Sequence, residues 1–202
     1  VWLKRRFDLL SSISSNMVPR LIETTGNSEN VRLFQNWVEC EKIYPMATVP
    51  NFRKELGFGD DDVVALYSGN MGNKQGLSII ADAAQAAAQD FPLLKFIVCG
   101  DGPAKGPMQK ATEGLGNITF LPLQPFSQFN DLLNSADIHL LPQKFAAADL
   151  VLPSKLTGML ASGRPTLACA EVGTALYEEM TGRGVCVEPE NPVQFSEALI
   201  SL

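Results

Sequence analysis

From residue 62 onward the chain alternates between short apolar runs and longer stretches whose apolar positions recur at helical spacing. The runs cover 63–67, 96–99, 118–121, 138–141, 166–169 and 185–187. The helix-period stretches cover 77–90, 104–113, 126–135, 155–162 and 175–181, with a last one over 193–202. Runs that are apolar almost throughout, rather than at alternate positions, predict strands covered on both faces. Strands that alternate with helices predict right-handed βαβ units and a parallel sheet. The pattern therefore predicts an α/β fold built on a doubly wound parallel sheet of about six strands.

Residues 1–61 break this rhythm. A strand over 7–12, a helix over 16–24 and a strand over 31–34 lead into an irregular stretch through Pro45 and Pro50, then a short helix over 52–56. We read 1–61 as the tail of a different domain plus a linker, and 62–202 as one domain. Composition then works by exclusion. Hydrophobic residues make up 46% of the 202-residue chain, too many for a disordered one. Sixteen Lys and Arg against 22 Asp and Glu leave a net charge of −6, which argues against a nucleic-acid partner. No apolar run reaches the roughly 18 residues of a spanning helix. Cys40, Cys99, Cys169 and Cys186 are scattered; that spacing suits neither a zinc site nor a disulfide scaffold, and fits a reducing cytoplasm.

Open parallel sheets bind ligands beyond the carboxyl ends of their strands, where strand order reverses. The loops after the predicted strands are therefore the candidate sites. The first runs Ser68-Gly69-Asn70-Met71-Gly72-Asn73-Lys74-Gln75-Gly76. Its glycines let backbone approach a ligand, the helix start offers N–H groups to an anion, and Lys74 adds a point charge. A solvated glycine-rich turn would read the same way. The second, Gly100-Asp101-Gly102-Pro103, lacks the third glycine and the acidic residue of a dinucleotide fingerprint. It reads as a tight turn bordering the cleft. The third runs from Asp149 to Lys155 and precedes a helix ending at Gly163-Arg164-Pro165. Here Ser154 is expected to cap the helix, Pro153 to hold its predecessor extended, and Gly163 to supply a left-handed stop. Ser154 and Lys155 at a helix start on the sheet's carboxyl edge would also hold a diphosphate.

These loops, in this order, resemble the C-terminal, donor-binding half of a family 4 GT-B glycosyltransferase, which is a Rossmann-like half-fold. The run from Gly69-Asn70-Met71-Gly72 through Leu123-Gln124-Pro125 to Ala148-Asp149-Leu150 and Pro153-Ser154-Lys155-Leu156 is similar to bacterial colanic-acid and O-antigen transferases. The resemblance implies a retaining, metal-independent transfer of sugar from a nucleotide-diphosphate donor, with no cofactor. The acceptor would be a cell-surface polysaccharide or its lipid-linked precursor. It would be held by an N-terminal half of which 11–14 and Asn36-Trp37-Val38 are the last elements, leaving this chain inactive alone. The implied location is the cytoplasm, at the inner face of the plasma membrane. On this likeness, donor and phosphate contacts fall to Gly69, Asn70, Gly72, Lys74, Gly100, Gly102, Gln124, Pro153, Ser154 and Lys155. Catalytic roles fall to Asp149 and Lys155.

The chain also departs from that pattern. Asn70 and Gln75 stand where an Arg and a Lys are usual, and Lys74 lies one residue early. The family's paired glutamates fall on Leu150 and Gly158, which removes the usual ribose contact at Gly158 and leaves Asp149 as a displaced candidate for touching the sugar. Two rival readings stay open: a non-catalytic nucleotide-sugar-binding module, which the missing carboxylates would suit, and an NAD-dependent oxidoreductase domain. His139, the one histidine, lies midway along a predicted buried strand and reads as a core residue. Asp60-Asp61-Asp62 precedes a strand instead of following one, so it reads as a solvated turn, and no metal ligands are expected. Trp2 with Lys4, Arg5 and Arg6 could brush an anionic membrane.

Overall fold

A computed structural model of the chain describes residues 6–48, 50, 52–147 and 152–202. Strand β1 (Leu10–Ser12), helix α1 (Met17–Thr25) and strand β2 (Val31–Leu33) form a two-stranded parallel sheet of their own, followed by α2 (Phe52–Glu55). The remainder alternates strictly: β3 (Val63–Ser68), α3 (Ser78–Asp90), β4 (Leu94–Cys99), α4 (Lys105–Ala111), β5 (Ile118–Leu121), α5 (Phe129–Asn134) and β6 (Ile138–Leu141). Then come α6 (Lys155–Ala161), β7 (Thr166–Cys169), α7 (Ala175–Met180), β8 (Val185–Val187) and α8 (Pro192–Ser201). The six strands β3 to β8 form one parallel sheet in the order β5-β4-β3-β6-β7-β8. The chain winds outward from β3 to β5, returns to β3's other side as β6, and winds outward again. Strand order therefore reverses between β3 and β6, which is where such sheets place a ligand.

The apolar runs form buried strands because each strand feeds two cores. Ala65 and Tyr67 of β3 pack with Ile80 and Ala84 of α3 and Phe195 of α8, while Val64 and Leu66 pack with Leu132 and Leu133 of α5 on the opposite face. This is the two-residue alternation of a strand with helices on both sides. Several expected boundaries shift: the strand expected over 7–12 starts only at Leu10, and the helix expected over 104–113 is shorter, Lys105–Ala111. Strand β4 starts two residues before its apolar run, since Lys95 lies along the sheet end and donates from Nζ to Pro92 O at 2.7 Å. The helix expected over 126–135 is split into a 3-10 turn at Phe126–Gln128 and α5.

The stretch between the two sheets is tied down rather than loose. Ile43 is buried in the same core as Val64 and Leu66. Tyr44 N donates to Asn130 Oδ1 (3.0 Å) and Met46 N to Asn134 Oδ1 (2.8 Å), and Asn134 Nδ2 returns a bond to Tyr44 O (3.0 Å). Buried Arg53 of α2 then closes the amino ends of the strands. It donates to Ser135 O at 2.7 Å and Asp62 O at 3.2 Å, and pairs with Asp137 Oδ2 at 2.6 Å. Asp62 itself accepts from Gly59 N at 2.8 Å and lies 3.8 Å from Lys95 Nζ, so this aspartate closes a turn. Among the described residues no helix is long and apolar enough to cross a membrane.

His139 is a core residue. Ser162 Oγ donates to Met159 O (2.6 Å) and therefore accepts from His139 Nε2 at 2.9 Å, which fixes the neutral tautomer. Burial, helped by the Arg164 charge, pushes the ring's pKa down to about 3. The unfolded chain thus takes up a proton below about pH 6.5 that the folded chain refuses until far lower, so stability falls as pH drops through that window. As the only histidine, His139 dominates proton uptake between pH 7 and 5. The urea midpoint should fall over that range in the wild type and fall much less in His139→Leu, as denaturation followed by circular dichroism would read.

Candidate functional site

At the carboxyl ends of β3 and β4 the ladder does not stop with the strands. Gly69 N donates to Cys99 O (2.9 Å), Met71 N to Asp101 O (2.8 Å) and Ala104 N to Met71 O (2.9 Å). The two glycine loops therefore lie backbone against backbone. A Cβ on Gly100, at φ +156°, would stand 2.0 Å from Gly69 O, and one on Gly102 would stand 2.7 Å from Met71 O. Gly100 and Gly102 are accounted for by this contact. The ladder also corrects the expectation that the amides of the first loop are open to a ligand. Those of Gly69 and Met71 are turned inward, so that of residues 69–72 only Asn70 and Gly72 keep their amides outside it. Asn70 O in turn accepts the Tyr67 hydroxyl at 2.6 Å.

Lys155, the first residue of α6, meets this platform. Its Nζ lies 3.9 Å from the centroid of the Tyr67 ring, and a Cβ on Gly69 would stand 3.4 Å from its Cδ. The stem is partly exposed, yet Nζ is buried and has no hydrogen-bond partner among the described residues. A cation over an aromatic face is favourable. It does not replace water, however, and burial lowers the lysine's pKa to about 7. The same burial raises the Tyr67 phenol well above its usual range. A buried cation facing a glycine loop, with its donors unused, is what an anion would complete.

Ser154 departs from expectation. It occupies the cap position with helical φ and ψ, and its side chain makes no cap bond. Instead Pro153 O accepts Leu156 N at 3.1 Å and Thr157 Oγ1 donates to Ser154 O at 3.0 Å. With a side chain already in the helical region, Ser154 cannot reach back as a cap does. Helix α6 has only seven residues, so the charged side chain of Lys155, more than the helix dipole, makes the site cationic. Gly163 does take the left-handed stop, at φ +71°.

Lys155 also lines a cavity of about 320 Å³ with Ser154, Thr157, Gly158, Phe126, Phe129, Trp37, Val38, Glu39 and Ile43. That size and its aromatic walls suit an organic ligand. Lys74 is not part of this group: it is exposed on a 3-10 turn (Asn73–Gln75), and its carbonyl accepts Lys144 N at 3.1 Å. Gln124 folds onto its own loop, donating to Pro122 O at 2.8 Å. Asp149 lies outside the described residues. Among the described residues no group of three or more His, Cys, Asp or Glu could hold a metal. The sequence reading missed Phe126, Phe129 and Glu39. Phe126 stands two residues past Gln124 in a loop already under suspicion, whereas Glu39 lies in a stretch assigned to another domain and carried no signal. A larger cavity of about 500 Å³ sits at the amino ends of the strands, and its lining holds two carboxylates, Asp90 and Asp137, and no cation.

The family described as "Glycosyl transferases group 1" matches residues 62–202. The chain is 41% identical over 191 residues to a protein of Escherichia coli (strain K12) named as a colanic acid biosynthesis glycosyl transferase, WcaI, covering 91% of this chain and 46% of that one. It is 28% identical over 153 residues to a Bacillus subtilis (strain 168) protein named as a teichuronic acid biosynthesis glycosyltransferase, TuaC, covering 75% and 36%. The chain thus spans less than half the length of either curated relative. Among solved structures, Anabaena Alr3699/HepE in complex with UDP and glucose superposes with a TM-score of 0.82 at 17% identity, over 100% of this chain and 55% of that one.

Two substitutions test the geometry. Gly100→Ala drives a methyl into the Gly69 carbonyl and should cost about 1–3 kcal/mol or more, whereas Gly116→Ala, in a turn with open space around it and no positive φ, should stabilise by about 0.4–1 kcal/mol. Urea denaturation of the pair reads both. Lys155→Met removes a buried ammonium that has no hydrogen-bond partner among the described residues, so it should raise stability. Because folding holds this lysine's pKa down at about 7, the cost is full below pH 7 and fades as pH climbs toward 10.5. The gain from Lys155→Met should therefore be larger at pH 7 than at pH 10.

Proposed function

The chain belongs to the group 1 glycosyl transferases, and from that premise we propose that it is the part of a polysaccharide-assembling glycosyltransferase that holds the nucleotide-sugar donor. One observation carries the reading: the Nζ of Lys155, buried and without a hydrogen-bond partner among the described residues, lies against the Gly69 loop, and the same side chain lines an aromatic-walled cavity. The diphosphate sits at Lys155 and Gly69, and the nucleoside fills the cavity beside Phe126. As the bond to the sugar breaks, charge builds on the departing phosphate, and a fixed cation aimed at it lowers the barrier. Lys155 supplies that cation from a position set by α6 and Tyr67. The complexes of Anabaena HepE with UDP and glucose and with UDP-glucose, which share the fold, support a nucleoside diphosphate as the ligand class. The E. coli and B. subtilis names support a cell-surface polysaccharide, or its lipid-linked precursor, as the product. The reading includes retention at the anomeric carbon, no metal or cofactor, and an acceptor held by the remainder of the longer protein. It places the enzyme at the cytoplasmic face of the plasma membrane, where lipid-linked saccharides would be met.

Calorimetric titration with UDP, GDP and ADP tests this. At least one diphosphate should bind, with its nucleoside far weaker and with EDTA making no difference. Equal affinity for nucleoside and diphosphate, or loss of binding in EDTA, overturns the reading. The lysine adds a signature. In the free protein Lys155 loses its proton above about pH 7, whereas a bound diphosphate favours the charged form. Binding above pH 7 must therefore take up a proton, and affinity should fall by up to about tenfold per pH unit. Lys155→Met should bind more weakly and lose this dependence, while Lys74→Ala should change little, since that lysine is exposed and away from the cavity.

A further inference from the structure

The cavity at Lys155 has walls of two origins. One comes from the carboxyl edge of the large sheet, with Phe126, Phe129 and Thr157; the other comes from the segment ahead of that sheet, with Trp37, Val38 and Glu39. The second wall is not a loose strap. Lys42 N and Ile43 N both donate to Glu39 O at 2.9 Å, Ile43 is buried in the core, and Asn130 and Asn134 hold the residues just beyond. Glu39 therefore lines the cavity from a pinned turn, with its carboxylate still open to solvent. Lys42 pairs with its Oε2 and lies 5.6 Å from the centroid of the Phe126 ring, so one side chain links the two walls. That pairing leaves Oε1 with its lone pairs available.

A nucleoside diphosphate anchored at Lys155 has its ribose only a phosphate chain away from Nζ, inside this cavity. The two ribose hydroxyls are donors and need an acceptor when water is displaced. Glu39 is the only carboxylate among the lining residues and so the only charged acceptor there; Gly158 on the facing helix has no side chain to offer, and the Ser154 and Thr157 hydroxyls are neutral, weaker acceptors. We infer that Glu39 accepts the ribose hydroxyls of the bound nucleotide and thereby selects ribonucleotides, so that a residue outside the large sheet sets the specificity of the site. The inference rests on the donor-binding reading above.

The test compares whichever of UDP, GDP or ADP binds most tightly with its 2′,3′-dideoxy counterpart, by calorimetry on the same chain. The wild type should prefer the ribose form by about tenfold or more, the scale of a hydrogen bond to a charged group. Glu39→Ala should bring the ratio close to one while leaving affinity for inorganic pyrophosphate unchanged, which shows the phosphate end intact. Lys42→Met, which removes the ion pair and keeps the carboxylate, should retain the preference. A wild-type ratio near one, a preference that survives Glu39→Ala, or a preference lost in Lys42→Met overturns the role of Glu39 while the donor reading stands. Failure of all three diphosphates to bind overturns the donor reading, and this inference with it.

Discussion

Two loop backbones in direct contact hold the candidate site together. Beyond the last residues of β3 and β4, the parallel ladder continues through Gly69 and Met71 onto Cys99 and Asp101, and a single methyl group at Gly100 would meet a carbonyl oxygen at 2.0 Å. Close approach of this kind is available only to glycine. Its consequence is positional. The first loop is laid flat across the sheet edge, Asn70 O is brought to the Tyr67 hydroxyl, and Gly69 becomes the surface on which the Lys155 stem rests. Were the loops to part by an ångström or two, the lysine would be hydrated and its perturbed protonation would vanish.

Such a lysine is costly to the folded chain. The Tyr67 face offers a cation partial compensation, but no oxygen among the described residues receives its protons. Protein interiors seldom retain an ammonium in that condition unless another group arrives to complete it. A proton held loosely, at a pKa near 7, is also a proton whose return can be coupled to binding. Destabilisation and binding capacity then have the same origin, which is the usual relation between stability and function at a prepared site.

The fold was legible in the sequence to an unusual degree because its strands are buried on both faces. A run such as Ile138-His139-Leu140-Leu141 has few alternative fates, and β5, β6, β7 and β8 begin and end where their runs do. Where a polar residue hid a boundary, as Lys95 did for β4, the strand was longer than its apolar run. The site was less legible, for two physical reasons. Local capping rules assigned Ser154 a role that its helical φ and ψ rule out. Loop glycines were credited to a ligand when backbone packing already requires Gly100 and Gly102. Lys155 was visible as a cation at a helix start, but its contact with Tyr67 joins residues 88 positions apart, and no spacing rule reaches that far.

Glu39 was invisible, and Trp37 was read only as the end of a preceding domain, for a different reason: both precede the large sheet, and the rhythm of strands and helices begins at residue 62. Chemistry need not begin where that rhythm does. Ile43 is buried against β3, the Asn134 amide bonds both Tyr44 O and Met46 N, and Pro45 packs 3.0 Å from where a Cβ on Gly163 would stand. These contacts fasten the connecting segment to the same α5 and α6 that carry the cavity's other wall. A segment held that firmly behaves as part of the cavity wall, and movement of whatever precedes residue 37 would reach the cavity through it. The connection between the two sheets is thus both a tether and one side of the site. Any change in how the preceding sheet sits would act on the cavity wall at Glu39 more directly than on Lys155, which α6 carries.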